Sequence, residues 1–395
     1  MSVLVINSGS SSIKYQVIDP VTGESTAKGL VEQIGLPSGH IEHTGNGQER
    51  EYVGEIPNHA FGLEKVLEFF AETGPSLTDG SIVAVGHRVV QGGKYFDGPA
   101  LVTEEVISKI EDLQPLGPLH NPPALEGIQV ARKLLPQVPH VVVFDTAFFQ
   151  SLPEEAARYA LKRDVADKYE IRRYGAHGTS HKFVSQEVAK LLGRDDAKQI
   201  VLHIGNGASV SAVDSGKAVE TSMGLTPLEG LVMGGRTGDI DPAAVFHLER
   251  EAGMTVEELD NLFNRESGMM GLTGSSDLRD VHAMVEAGDQ NAKEAVDIYV
   301  HRIVKYIGAY TAILGGLDAL TFTAGVGEND DVIRAAVLDR LAPFGVKYDA
   351  AVNATRSKES RELSTPDSSV RVFVVPTNEE LEIARQATAL VNSSK

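Results

Sequence analysis

Residues 1–19 read MSVLVINSGSSSIKYQVID, and the fold turns on why five small polar residues follow Asn7 between two segments that both favour burial as strands. Val3–Ile6 is a short apolar run, and from Ile13 apolar and polar residues alternate with the period of a half-buried strand. A turn built from Gly and Ser presents consecutive backbone N–H groups and hydroxyls to one anion, because no bulky side chain blocks the approach. That is the chemistry of a phosphate cradle. A tight hairpin with solvated serines has the same local signature, since Asn and Gly favour such turns anyway.

A second stretch has the same architecture. Residues 200–216, IVLHIGNGASVSAVDSG, run from an apolar strand into Gly205-Asn206-Gly207-Ala208-Ser209 and back into alternation. Two such turns in matched positions favour phosphate and a duplicated α/β unit. Neither is a Walker A loop: nothing fits GxxxxGK[ST] before a helix, and Lys14 lies on a strand. The pattern suggests the actin-like, sugar-kinase-like arrangement, in which two hairpins from duplicated domains grip nucleotide phosphates in a cleft between them. A third glycine turn, Ala324-Gly325-Val326-Gly327-Glu328-Asn329, follows a strand and is expected to open a helix, either at the adenosine or as an ordinary βα connection.

Elsewhere short β-rich runs alternate with amphipathic helices, the pattern of an α/β protein. Strands are expected at 3–6, 14–19, 82–85, 140–144, 200–204, 210–213, 319–323 and 370–375. Asn121 before Pro122 reads as an N-cap leading into a helix. Thr377 with Glu380 reads as a capping box opening the last helix. The polar segment 153–168 reads as helical, and 291–314 as a long helix packed on more than one face. A domain boundary is expected after Phe144-Asp145-Thr146.

The 395 residues are 42% hydrophobic and 23% charged, with a formal net charge of −19 and no cysteine. The length allows two domains of ordinary size. Such acidity disfavours nucleic acid and anionic membrane as partners, and the missing thiol excludes disulfides, thiol nucleophiles and thiolate metal sites. With no signal-like start and no apolar run of spanning length, the expected compartment is the cytoplasm.

An anionic substrate therefore needs local cations. Phosphoryl transfer calls for Arg, His or Lys aimed at the transferring group, and for Mg²⁺ on phosphate oxygens. Arg88 in Gly86–Gly93 and Arg236 in Met233–Asp239 both sit among glycines after or near strands. His177 and His181 have the spacing of two zinc ligands on a helix, but no Glu follows His177. His177 is better read as a transition-state donor and His181 as packed or capping. Asp145 at a strand end and Glu379 in the first turn of the last helix are the candidate metal-binding carboxylates.

INSGSSSIK, GHRVVQGG, LHNPP, FDTAF, YGAHGTSH, HIGNGAS, MGGRTGDIDP, SSDLRD, FTAGVGEN and TNEE occur here in the order found in the acetate kinases, and the resemblance runs essentially the whole chain. It implies two duplicated actin-like α/β domains (of the sugar kinase, chaperone ATPase and actin type, ribonuclease H-like) with an interdomain nucleotide cleft. Residues 1–148 with 381–395 would form the N-terminal domain, completed by the C-terminal helix, and 149–380 the nucleotide-binding domain. The implied reaction is reversible Mg²⁺-dependent transfer of the ATP γ-phosphoryl to acetate, giving acetyl phosphate and ADP by direct in-line displacement, with Mn²⁺ able to substitute and a homodimer as the assembly. Arg88 and Arg236 would hold the carboxylate and phosphoryl, His177 would share the charge, and Asp145 would be the catalytic carboxylate. Asn7 and Glu379 would set the metal. Lys14, Ser12, His203, Ile204, Gly205, Asn206, Gly207, Asp277, Leu278, Arg279 and Gly325, Val326, Gly327, Glu328, Asn329 would meet the nucleotide. Val90, Leu119 and Pro227 would wall the methyl pocket.

The chain departs from the family at Ala176, usually aromatic, and Gly235, usually Thr, so Ala176→Phe is expected to tighten selectivity for acetate. Rival readings are a propionate or butyrate kinase, a conformational ATPase indifferent to carboxylates, and a sugar kinase in which Asp145 deprotonates a hydroxyl.

Overall fold

The two opening runs become β1 (Ser2–Ser8) and β2 (Ser12–Ile18), paired antiparallel with Asn7 opposite Lys14. The computed structural model describes residues 1–118 and 120–394. The chain divides into one unit of Met1–Gln150 with Asn378–Lys395, and a second of Ser151–Thr377.

In the first unit, β3 (Ser25–Glu32), β4 (Gly39–Gly45) and β5 (Gln48–Gly54) extend the hairpin into an antiparallel meander. On the other side of β1, β6 (Ile82–Val89) and β8 (His140–Phe144) add in parallel, and β7 (Ala100–Leu101) closes the edge. The order is β5-β4-β3-β2-β1-β6-β8-β7. The period of two along each strand splits the core. Leu4, Ile6, Ile13, Tyr15 and Val17 pack with Leu63, Val66 and Phe70 of α1 (His59–Thr73). α2 (Glu104–Asp112) and α3 (Asn121–Leu134) follow before β8. Ile383 of the C-terminal helix sits against Gly86 of β6.

The second unit begins with two short helices, α4 (Glu154–Ala157) and α5 (Arg163–Lys168), where one continuous helical segment was expected. α6 (Gly178–Leu192) precedes the hairpin β9 (Lys198–Ile204), β10 (Ala208–Asp214), to which β11 (Lys217–Thr221) adds. After α7 (Ala243–Ala252), α8 (Val256–Arg265), α9 (Gly268–Thr273), α10 (Leu278–Glu286) and α11 (Gln290–Leu314) comes β12 (Ala319–Thr323). α12 (Ala324–Asn329), α13 (Asp331–Leu341), α14 (Ala350–Ala354), β13 (Arg361–Glu362) and β14 (Arg371–Val374) complete it. The order β11-β10-β9-β12-β14-β13 repeats the first unit's plan: an antiparallel hairpin whose first strand is flanked by parallel strands. The last helix, α15 (Glu379–Ser393), returns to the first unit.

Four local expectations change. Asn121 is the first residue of α3, not its cap; His120 holds the cap position. The Asn121 side chain is instead buried against Gln91, accepting from its N–H at 3.1 Å and donating to its carbonyl at 2.9 Å. α15 is capped by Asn378, which accepts from the Leu381 N–H, while Glu380 pairs with Lys14, so no Thr377 capping box forms. Residues 324–329 form a helical turn of their own directly after β12, entered through Ala324 at φ 66°. α11 buries a stripe including Ala292, Ala295, Tyr299, Ile303, Ile307, Tyr310 and Leu314 and exposes its opposite face, because the sheet lies on one side only.

Four buried or half-buried histidines, His43, His87, His140 and His181, have pKa values held below the ordinary 6.5, in each case chiefly by desolvation of the imidazolium. His87 and His140 stack and hydrogen-bond to each other at 2.9 Å. Below about pH 6.5 the unfolded chain takes up protons that these folded sites refuse, so their contribution to stability is present above that pH and lost as pH falls. His282, raised by its hydrogen bond to Asp330, has the opposite sign but stands against four. Tm is therefore expected to fall steeply between pH 6.5 and 5 in a thermal-denaturation series; a flat Tm over that range would contradict this.

Candidate active site

In the first unit, β6 and β8 run parallel and end together, placing Arg88 beside Asp145. The guanidinium donates from Nη2 to Asp145 Oδ2 at 2.6 Å and from Nε to the same oxygen at 3.1 Å. Asp145 is fully buried and its N–H is fixed on the Val89 carbonyl at 2.9 Å. Burial opposes the charge on Arg88, but Asp145, Glu379 and Glu380 outweigh it and hold the guanidinium more firmly protonated than usual. Glu379 opens α15 in the same cluster. Desolvation, together with the carboxylates of Asp145 and Glu380, raises its pKa, against the pull of Arg88 and Lys14. Lys14 ion-pairs with Glu380.

Carboxylate and amide oxygens such as those of Glu379 and Asn7 are the hard donors that suit Mg²⁺; among the described residues no group of three or more His, Asp or Glu is placed to hold a metal ion by itself. The Asn7 turn is tied by Gly9 N–H to Ser12 O at 2.8 Å, and its Ser10 and Ser11 are exposed. Val90 is half-buried beside Arg88 on the loop that Asn121 clamps. Leu119 lies outside the described residues.

In the second unit, His177 stands at the N-terminus of α6 in the left-handed region at φ 59°. Its Nδ1 is hydrogen-bonded to Ser209 Oγ at 2.9 Å, and its ring stacks on His203 with centroids 4.2 Å apart. Ser209 also meets His181 Nε2 at 2.7 Å, and His181 Nδ1 meets Ser211 Oγ at 2.7 Å. Both ring nitrogens of His181 are thus engaged by serines. His203 Nδ1 bonds Ser180 Oγ at 2.8 Å, which bonds Thr377 Oγ1 at 2.7 Å. Ser209 and Ser211 lie two apart on β10 and so share one face; that spacing in GASVSAV was the signal for this network, which residue type alone does not reveal.

Arg236 completes the cluster. A Cβ on Gly207 would lie 3.5 Å from Arg236 Nη1 and 3.6 Å from His177 Nε2, so the β9–β10 turn is the place where the guanidinium and the imidazole meet. Arg236 Nη1 reaches the Pro227 carbonyl at 3.4 Å. Among the described residues no carboxylate pairs with Arg236, and burial lowers its pKa.

A cavity of about 740 Å³ opens beside this turn, lined in part by Gly205, Asn206, Asp277, Leu278, Arg279, Gly325, Val326 and Asn329. Asp277 caps α10 through the Arg279 N–H at 2.9 Å, and the exposed Arg279 guanidinium folds back onto it. Other nucleotide candidates have structural partners. Glu328 accepts from the Ala324 and Thr377 N–H groups at 2.9 and 3.1 Å, and the Gly327 carbonyl accepts from buried Arg334 at 3.0 Å. Ile204 is buried in the core of the unit.

Ala176 is also in that core, 2% exposed. A phenyl ring there would have to displace packed neighbours at a cost of about 1–3 kcal/mol, so Ala176→Phe reports on packing before it reports on acyl selectivity.

Paired sheets of this plan, each led by a Gly- and Ser-rich hairpin, are those of the actin-like α/β kinases. The acetokinase family model matches residues 2–385, and the chain belongs to that family. An acetate kinase of Leifsonia xyli subsp. xyli is 56% identical over 99% of both chains. The crystal structure of Porphyromonas gingivalis acetate kinase matches with a TM-score of 0.93 at 42% identity, covering 99% of each chain. That of a propionate kinase from Francisella tularensis matches with a TM-score of 0.92 at 40% identity, covering 98% of this chain and 99% of the other.

Ser209→Ala is expected to leave two imidazole nitrogens without their partner, costing about 1–3 kcal/mol of stability, and to lower kcat by loosening His177. Ser211→Ala, one step further from His177, should cost stability with a kcat closer to wild type. Urea denaturation and initial rates measure both; equal kcat losses would mean that Ser209 does not orient His177.

Proposed function

We propose that the protein is an acetate kinase, transferring the ATP γ-phosphoryl reversibly to acetate to give acetyl phosphate and ADP. The observation that carries this reading is Arg236, a partly buried guanidinium that pairs with no carboxylate among the described residues, converging with His177 on the β9–β10 turn. Such a charge is arranged for an anion that arrives with the substrate.

Acetate is ionised at neutral pH and needs no general base. An acetate oxygen attacks the γ-phosphorus in line as the bond to the bridging oxygen breaks and ADP departs. Arg88, fixed by Asp145, and Arg236 hold the carboxylate and the phosphoryl group, and His177 shares the charge that spreads over the equatorial oxygens. The 740 Å³ cavity takes the adenosine and the β9–β10 turn the phosphates. Val90 and Pro227 face the acyl group. Asn7 and Glu379 would hold Mg²⁺, which would supply positive charge to the phosphates, and Lys14 and Ser12 would approach the nucleotide. The proposed compartment is the cytoplasm, where ATP is at hand; among the described residues no helix is long and apolar enough to cross a membrane.

The working assembly is a homodimer. α7, which follows directly from the Arg236 loop, buries none of its residues and exposes Phe246. Ten residues with no fully buried side chain are marginal as a helix in water, so a second copy of the chain is the partner that this surface suits. Phe246→Glu is expected to shift the sedimentation of the purified protein from dimer to monomer; an unchanged dimer would place the interface elsewhere.

With Mg-ATP and acetate, ADP release is expected together with acetyl phosphate trapped as a hydroxamate. Propionate should be a poorer acceptor, and glycerol or no acceptor inactive. Arg236→Ala should lower kcat/KM by roughly 10²- to 10³-fold, the usual loss for one transition-state donor. ADP release indifferent to every carboxylate would overturn the assignment.

A further inference from the structure

Three carbonyls of the Asn7 turn accept hydrogen bonds from within the first unit. Ser12 O accepts from Gly9 N–H at 2.8 Å and Ser11 O from Ile34 N–H at 3.0 Å. Gly9 O accepts from Nε2–H of His59 at 2.8 Å. His59 is the first residue of α1 and is buried. A carbonyl only accepts, so this contact places a hydrogen on Nε2. On the far side of the ring, Nδ1 lies 3.2 Å from Glu126 Oε2 of α3, and because a carboxylate only accepts, it aligns the imidazole with Gly9 when Nδ1 carries a hydrogen as well. Next to Glu126, α3 passes so close to the turn that a Cβ on Gly127 would lie 2.2 Å from Ser8 Oγ. α1 and α3 therefore brace the turn from two directions.

An anion cradle works only if its amides face outward and its carbonyls do not, since an inward-swinging carbonyl dipole would repel phosphate. A run of Gly and Ser has little intrinsic preference between the two states. We propose that His59, oriented by Glu126 and stopped by Gly127, is a positioning residue that locks the Asn7–Ser12 turn in its phosphate-receiving conformation by holding the Gly9 carbonyl inward. It acts through the backbone and touches no substrate. The inference rests on the reading above that this turn meets the nucleotide phosphates and Mg²⁺.

Four full-length variants, His59→Leu, His59→Gln, Glu126→Ala and Ser12→Ala, test it by steady-state kinetics with Mg-ATP and acetate varied separately and Tm measured alongside. His59→Leu is expected to raise KM for Mg-ATP roughly 10- to 100-fold, the range typical of outer-sphere positioning losses, with KM for acetate little changed. His59→Gln, whose amide N–H can reach the Gly9 carbonyl, should recover most of that loss. Glu126 is half-exposed, so Glu126→Ala should fold even if His59→Leu does not, and should show a smaller rise in the same constant. A raised Mg-ATP KM in Ser12→Ala with wild-type values in His59→Leu and Glu126→Ala would overturn the role of His59 while leaving the turn in place. A His59→Gln that falls with His59→Leu in Tm and in both KM values would reduce His59 to a packing residue. Wild-type kinetics in Ser12→Ala would remove the underlying reading and the proposal with it.

Discussion

The Arg236 charge sits in a glycine-rich loop with a carbonyl and an imidazole beside it and no carboxylate, and the surrounding architecture follows from keeping it so. A guanidinium that loses hydration without gaining an anion is unfavourable, and burial indeed lowers its pKa. Its neighbours limit that cost without neutralising the charge. Asp239, three residues on, does not turn back to Arg236. Its oxygens are taken by Tyr306 Oη at 3.0 Å and the Gly230 N–H at 2.9 Å, while Arg302 donates to its carbonyl at 3.2 Å. The acidic residue nearest in sequence thus pins the loop and leaves the guanidinium for a substrate anion.

Arg88 shows the opposite solution. It is bound by Asp145 through three contacts of 2.6 to 3.3 Å, so its position is set before any ligand arrives. One arginine is held rigidly by a protein carboxylate, and the other pairs with no carboxylate among the described residues. The duplicated plan makes the division possible. Each unit supplies a hairpin beside parallel strands whose ends carry the charged side chains, and the two copies have diverged in what those ends hold.

The hairpins were legible because each pairs a buried apolar run, β1 or β9, with a strand of alternating pattern across a Gly- and Ser-rich turn. β8, β9 and β12, almost wholly buried, were legible for the same reason. β3, β4 and β5 were not. One face of that meander meets solvent, so few apolar side chains remain, such as Val31 and Ile41, and the core position at 43 is a histidine bonded to Tyr15 at 2.7 Å. The Asn46-Gly47 pair between β4 and β5, at φ 49° and 77°, is a two-residue hairpin signal that the reading above did not use. At the site, the charged residues stood out by type and by their glycine neighbours. Their partners did not, because Asn121, Glu380 and Ser209 are 30, 366 and 32 residues from Gln91, Lys14 and His177, and local rules such as capping boxes explain such residues too easily.

That distance has a chemical consequence. A chain of net charge −19 presents an unfavourable field to ATP and acetate, and added surface lysines would be screened by salt within about 10 Å. The structure instead spends its acidic residues locally. Asp145 fixes Arg88, Glu380 occupies Lys14, Asp277 folds Arg279 back, and Glu328 ties the β12–α12 junction to Thr377. Glu379 differs: burial, with the Asp145 and Glu380 carboxylates beside it, raises its pKa against the pull of Arg88 and Lys14. The first unit's acidic side chains thus sit with cations of their own, Asp145 with Arg88 and Glu380 with Lys14, while burial lowers the pKa of Arg236 in the second.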